Sequence, residues 1–284
     1  ISAKRLKIPI FHMEAGNRCF DLNVPEEINR RIVDHVSDIN LAYTEHARRY
    51  LLAEGIQKEY VFVTGSPMPE VLSLYRDKID ESRILDQLGL KPGGYLVASA
   101  HREENVDREE AFRPLMRAIN AAAQALQMPV IFSVHPRSRK QLEKRGIALH
   151  PMVRCLEPLG FPDYCKLQKN ALCVLSDSGT LSEESAILGF SAVLLRTSTE
   201  RPEALDKGSI IIGGTNELDL MQAIKLSVAM WMHGGIAAPV ADYQDTNVSA
   251  KVVRIMQSYT KIINRNVWRK GFKGGEDAAP REEE

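Results

Sequence analysis

Short apolar runs alternate with amphipathic helical stretches along almost the whole of this 284-residue chain, and that rhythm admits few folds. The runs are IPIF (8–11), INLAY (39–43), YVFVTG (60–65), YLVASA (95–100), VIFSV (130–134), ALCVL (171–175), AVLL (192–195) and SIIIG (209–213). Strands buried on both faces read this way, and their alternation with helices predicts an α/β protein built on parallel sheets. Ile28, Ile32, Val33 and Val36 share one face of a helix opened by Pro25. Leu115, Ile119 and Ala122 mark another, in which Pro114 is expected to break or kink the first turn.

A chain of this length can form one large or two medium domains. Ser66–Pro69 follows an apolar run, carries two prolines and leads into the charged stretch 70–88, so the boundary is placed there. That division makes 1–66 the remainder of a first domain and 67–245 a second. Residues 246–268 keep a helical pattern through Val248, Val252, Ile255, Met256, Tyr259 and Ile263, and this helix is expected to cross back over the first domain. The polar, Gly-rich and acidic segment 269–284 is expected to be disordered. The opening ISAKRLKIPIF reads as the end of a helix running into a strand, which predicts a piece of a longer protein.

Acidic and basic residues balance at 37 each, so no global charge recruits nucleic acid or an acidic membrane. No apolar run approaches the roughly 18–20 residues needed to span a bilayer. Cys19, Cys155, Cys165 and Cys173 have no C-x-x-C spacing and read as free thiols of a reducing cytoplasm. No histidine pair has metal-site spacing, and no metal is expected.

Polar residues gather where the predicted strands end, which in open α/β sheets is where ligands sit. ALCVLSDSGTLSEE (171–184) reads as a buried strand, a tight turn and a helix start. Gly179 permits the turn, Thr180 and Glu183 fit a capping box, and the free N–H groups of a helix start attract phosphate. Ser178, Gly179 and Thr180 are thus a candidate phosphate seat, and Glu184 a candidate acceptor for ribose hydroxyls. IPIF runs into His12, Glu14 and Gly16, YLVASA into His101, VIFSV into His135, and AVLL into Arg196–Glu203. Glu14 is expected to leave its strand facing the cleft, beside a glycine that permits close backbone approach. Glu26, in the first turn of the Pro25 helix, is expected to face the same space. Two such carboxylates suit proton removal and return on opposite faces of one carbon. Structural alternatives stay open: Glu26 complements a helix dipole, and Glu14 can pair with Arg18. His101 suits donation to a departing phosphate oxygen. Arg201 suits bidentate contact with phosphate or carboxylate, or pairing with Glu200 or Glu203. His12 reads as structural.

HMEAGNR (12–18), PEEINR (25–30), AHREEN (100–105), SDSGTLSEE (176–184) and TSTERPEAL (197–205) together resemble the non-hydrolysing UDP-N-acetylglucosamine 2-epimerase family. The resemblance implies two Rossmann-like domains with a cleft between them, a GT-B-like arrangement, with the first domain N-terminally truncated. It implies UDP elimination from C1 with loss of the C2 proton, a glycal intermediate, and re-addition with C2 protonated on the other face. No cofactor, nicotinamide or metal is implied; the implied partners are a UDP-sugar and a second copy in a homodimer. Carried over by motif, Glu14 and Glu26 are the acid/base pair and His101 lies near the diphosphate. Ser178, Gly179 and Thr180 hold phosphate, Glu184 the ribose, Arg201 UDP, and Tyr164 is the aromatic of the uracil region. The family's first strand, its Gly-Thr-Arg-Pro loop and an upstream aspartate are absent, so the fragment alone is expected to be inactive. Leu159 stands where many members have glutamine. HPRS (135–138) replaces H-x-N-P, against an allosteric UDP-N-acetylglucosamine site. HMEAGNRCFD and RTSTERPEALDKGSIIIGG are similar to the UDP-2-acetamido-2,6-dideoxy-L-talose 2-epimerases, which make UDP-N-acetyl-L-fucosamine for capsule or O-antigen. The alternatives are a UDP-N-acetylglucosamine/UDP-N-acetylmannosamine enzyme, a GT-B glycosyltransferase and a non-catalytic UDP-sugar binding protein.

Overall fold

A computed structural model describes residues 1–234 and 239–270. All but the first two residues of the 269–284 tail lie outside the described residues. Among the described residues, nine strands form two parallel sheets. The first contains β1 (Phe11–Ala15), β2 (Ile39–Ala42) and β3 (Val61–Val63) in that order. The second contains β4 (Leu96–Ser99), β5 (Val130–Ser133), β6 (Val153–Leu156), β7 (Cys173–Ser176), β8 (Ala192–Leu194) and β9 (Ile211–Ile212), ordered β6-β5-β4-β7-β8-β9. That order is the Rossmann one, with the direction of winding reversing between β4 and β7.

Helices on both faces explain why the central strands read as unbroken apolar runs. Leu96 and Ala98 of β4 enter one core layer with Phe112, Met116 and Ile119 of the Glu109–Leu126 helix. Val97 enters the opposite layer with Leu167 and Leu181. The Val248–Asn266 helix returns to the first sheet, where Val248, Val252 and Ile263 pack with Ile39 and Leu41 of β2.

Several expectations are corrected. β6 lies at the edge of its sheet and exposes its central residues Arg154 and Cys155, so it had no apolar run to mark it. Pro114 sits inside the Glu109–Leu126 helix without ending it. In the Pro25–Val36 helix, Ile28, Ile32 and Val33 are exposed, while Glu27 and Asp34 are the buried side chains. The polar ones win the interior because they serve buried donors: Glu27 accepts from the Cys19 backbone N–H at 2.9 Å, and Asp34 pairs with buried Arg18 at 2.7 Å. Gly16 does bring backbone close, but to protein: at φ +82°, a Cβ there would lie 2.4 Å from the Ala47 carbonyl oxygen.

β1 starts three residues later than the run IPIF, so Glu14 lies within the strand rather than beyond it. The register with β2 slips between Met13 and Ala15, and Glu14 takes φ +61° at that irregularity. A non-glycine residue in this region is uncommon and persists where surrounding contacts hold it.

Candidate active site

The reversal point between β4 and β7 opens a crevice beyond the carboxyl ends of the strands. β4 runs into His101 and Arg102, and β7 into Asp177 and the Ser178–Thr180 turn. Asp177 is fully buried and joins the two ends. It accepts the backbone N–H groups of His101 and Arg102, both at 2.9 Å, and the Asn105 amide at 3.1 Å. Burial pushes its carboxyl up, but the bonds from His101, Arg102 and Asn105 outweigh this and hold it below its ordinary value.

His101 Nδ1 lies 3.1 Å from Asp177 Oδ1. The Asp177 bond raises the imidazole above its ordinary value, against the opposing effect of burial. For a raised base, the stabilisation is complete below the unfolded pKa and is lost as pH rises through the folded one. Followed by NMR, His101 is therefore expected to titrate above an ordinary histidine, near 6.5, and Asp177→Asn to bring the midpoint down. An unchanged midpoint would remove Asp177 as the cause.

A cavity of about 360 Å³ at this crevice brings together His101, Tyr164, Ser178, Thr180 and Glu184, with His135 and Leu159. A second, of about 380 Å³, shares His101 and adds Glu26, Asn29, Arg102 and Arg137. A larger cavity of about 660 Å³, among Leu72, Ile79, Ile187 and Tyr243, lies away from these strand ends. His135 caps the Pro136–Lys144 helix, its Nδ1 accepting the Arg137 N–H at 3.2 Å.

The Leu181–Leu188 helix starts at Thr180, but the capping box does not form. Thr180 Oγ1 donates instead to Glu184 Oε1 at 2.9 Å, and Glu183 turns to Ser66 and Arg201. The first N–H groups of the helix are thus left without a side-chain cap, which favours an anion there. Gln168 donates to Glu184 Oε2 at 2.6 Å, fixing that carboxylate at the cavity wall. Burial raises Glu184 above its ordinary value.

Gly179 is required because a buried carboxylate lies behind it: a Cβ would stand 2.6 Å from Glu200 Oε1. Glu200 in turn faces Arg196 at 2.7 Å, Arg102 at 3.4 Å and Arg30 at 3.7 Å. Burial pushes Glu200 up, but Arg196, Arg201, Arg102 and Arg30 pull it down to about 2. Arg30 Nη1, Arg102 Nη1 and Arg196 Nη2 are buried without a hydrogen-bond partner among the described residues. With Glu200 and with Glu104, which lies 3.6 Å from Arg102, these three guanidinium groups keep an excess of positive charge behind the Ser178–Thr180 turn.

Glu14 does not pair with Arg18, which is committed to Asp34 and Glu54. Its Oε1 accepts Arg201 Nη2 at 2.8 Å and Asn17 Nδ2 at 3.0 Å. Arg201 is 4 % exposed and bonds neither Glu200 nor Glu203; its side-chain partners are Glu14 and Glu183. The structure therefore gathers His101, Tyr164, Ser178, Thr180 and Glu184 around one cavity and Glu26 in the adjoining one. Glu14 and Arg201 form a separate contact between the two sheets. Sequence reasoning missed Arg30, Arg102, Asp177 and Glu200. Arg102, Asp177 and Glu200 sat inside recognised strand endings, but two of the arginines around Glu200, Arg30 and Arg102, come from other segments.

The family model for UDP-N-acetylglucosamine 2-epimerase matches residues 1–257. The chain is 36% identical to the UDP-N-acetylglucosamine 2-epimerase of Methanocaldococcus jannaschii, over 79% of this chain and 63% of that protein. It is 30% identical to the UDP-2,3-diacetamido-2,3-dideoxy-D-glucuronate 2-epimerase of Pseudomonas aeruginosa, over 80% of this chain and again 63% of the relative. The chain thus spans less than two thirds of the length of these two curated relatives. The solved UDP-N-acetylglucosamine 2-epimerase of Rickettsia bellii superposes with a TM-score of 0.84 at 44% identity, covering 95% of this chain and 72% of that one. The M. jannaschii enzyme in complex with UDP-GlcNAc and UDP superposes with a TM-score of 0.82 at 31% identity, covering 90% and 71%. Two parallel Rossmann-like sheets in a GT-B-like fold, together with the family match over residues 1–257, place this chain in the UDP-N-acetylglucosamine 2-epimerase family.

Proposed function

We propose that the whole protein inverts C2 of a UDP-N-acetylhexosamine by eliminating UDP and adding it back. The observation that carries this reading is one cavity lined by His101, Tyr164, Ser178, Thr180 and Glu184, backed by the arginines around Glu200. It offers an anion seat, an aromatic wall and a hydroxyl acceptor, which complement the diphosphate, uracil and ribose of a uridine diphosphate. The reading takes 1–66 and 67–245 as two domains facing each other across the cleft. Glu14 or Glu26 removes the C2 proton while the C1–O bond breaks and its electron pair leaves with UDP. His101 stabilises the departing diphosphate, and the other carboxylate returns a proton to the opposite face of C2 as UDP re-adds. Within this class, HMEAGNRCFD and RTSTERPEALDKGSIIIGG favour UDP-2-acetamido-2,6-dideoxy-L-talose as substrate and UDP-N-acetyl-L-fucosamine as product, in a homodimer serving capsule or O-antigen synthesis. UDP-N-acetylglucosamine/UDP-N-acetylmannosamine interconversion is the second reading.

Incubating the whole protein with each UDP-sugar in deuterium oxide is expected to place deuterium at C2, read by NMR, faster with the 6-deoxy-L-talose sugar. Transfer to an added acceptor without C2 exchange would instead identify a glycosyltransferase. Binding with neither reaction would identify a UDP-sugar binding protein.

A further inference from the structure

Arg201 belongs to the second sheet's side of the molecule, at the start of the Pro202–Asp206 helix, yet it reaches across to the first. Its Nη2 bonds Glu14 Oε1 at 2.8 Å, and its guanidinium lies 5.9 Å from the centre of the Tyr43 ring. On its own side, the same Nη2 meets Glu183 Oε2 at 3.4 Å. Glu183 is 2 % exposed, and its other oxygen accepts the hydroxyl of fully buried Ser66. Ser66 stands where the chain leaves the first sheet, just past β3. Its Oγ also accepts the Met68 N–H at 3.1 Å, and its own N–H donates to the Asp242 carbonyl at 3.2 Å. The outgoing and returning connections between the sheets therefore meet at one serine.

The consequence falls on Glu14. Arg201 and Asn17 both bond Oε1, so Oε2 carries no protein hydrogen bond among the described residues. An asymmetrically held carboxylate presents one defined oxygen to a proton. Its backbone at φ +61° depends on such contacts to persist.

From this geometry we infer that Glu183 is a positioning residue: it holds Arg201 against Glu14 and, through Ser66, couples the setting of that carboxylate to the crossing between the two sheets. The inference rests on the proposed role of Glu14 in C2 inversion. Glu183 touches no substrate in this scheme and acts through Arg201. A buried guanidinium without its nearby counter-charge shifts, and misplacing a catalytic group by about 1 Å costs on the order of 100-fold in rate.

The test uses the whole protein with Glu183→Gln, Ser66→Ala and Glu14→Gln, measuring kcat and KM for C2 inversion and Kd for UDP by calorimetry. Glu183→Gln is expected to lower kcat at least about tenfold, and Ser66→Ala about threefold to tenfold. The UDP Kd should rise by less than kcat falls, because Ser178, Thr180, Tyr164 and Glu184 remain in place while only Arg201, the UDP contact that the resemblance implies, shifts. Parental kcat in both Glu183→Gln and Ser66→Ala, or a loss of UDP binding that matches the loss of kcat, would overturn the positioning role. Should Glu183→Gln fail to fold, the Ser66→Ala result decides alone. Full C2 exchange in Glu14→Gln would instead reject the acid/base role of Glu14 on which the inference rests, so the two failures are distinguishable.

Discussion

Glu200→Gln is expected to destabilise the folded chain by about 3–5 kcal/mol, the range for removing one partner of a buried ion pair. Glu200 is 3 % exposed, and the amide is nearly isosteric, so the loss is one of charge rather than packing. Arg196 at 2.7 Å, Arg102 at 3.4 Å and Arg30 at 3.7 Å would be left facing one another without their shared anion. Urea denaturation measures the effect; a loss below about 1 kcal/mol would mean that these guanidinium groups are effectively solvated. The pH dependence supplies a second signature. A carboxyl held at about 2 contributes stability that is present above its ordinary value of 4.5 and is lost as pH falls from there towards 2. The Gln variant should lack that acid slope. Replacing Arg196 with Met in the same chain should return part of the lost stability, since one unpaired charge is removed with its partner.

Glu14→Gln is expected to reduce deuterium incorporation at C2 by about 10²–10⁴-fold, the usual worth of a general acid or base, while UDP still binds. The amide oxygen can continue to accept from Arg201 and Asn17, so the geometry survives and only proton transfer is lost. Retention of UDP follows because the residues of the anion seat belong to the other sheet. Glu26→Gln should behave alike, since Glu26 lines the cavity that shares His101. Exchange within tenfold of the parent in Glu14→Gln would assign the proton to another group.

The strands at the middle of each sheet were legible because burial on both faces leaves little but apolar residues: β2, β4, β5, β7 and β8 all overlap the runs that marked them. β6 was not, because its central residues Arg154 and Cys155 are exposed and leave no apolar run. The Pro25–Val36 helix misled for a related reason. Its apolar spacing promised a covered face, but Glu27 and Asp34 were drawn inward by the Cys19 N–H and by Arg18. The strand, turn and helix start of the proposed anion seat were legible, since they are contiguous in ALCVLSDSGTLSEE. Its internal bonding was not: Glu183 fits a cap by spacing, yet distant Ser66 and Arg201 claim it.

By itself, the sequence determined the α/β alternation, the polar strand endings and the Ser178–Thr180 turn, because each depends on neighbours a few residues apart. Tertiary structure alone decided that Glu14 meets Arg201 across 187 positions, and that Glu200 gathers Arg30 and Arg102 from separate segments. Which buried charge finds which counter-charge depends on where the sheets bring distant segments together, and burial then makes each such choice costly to change.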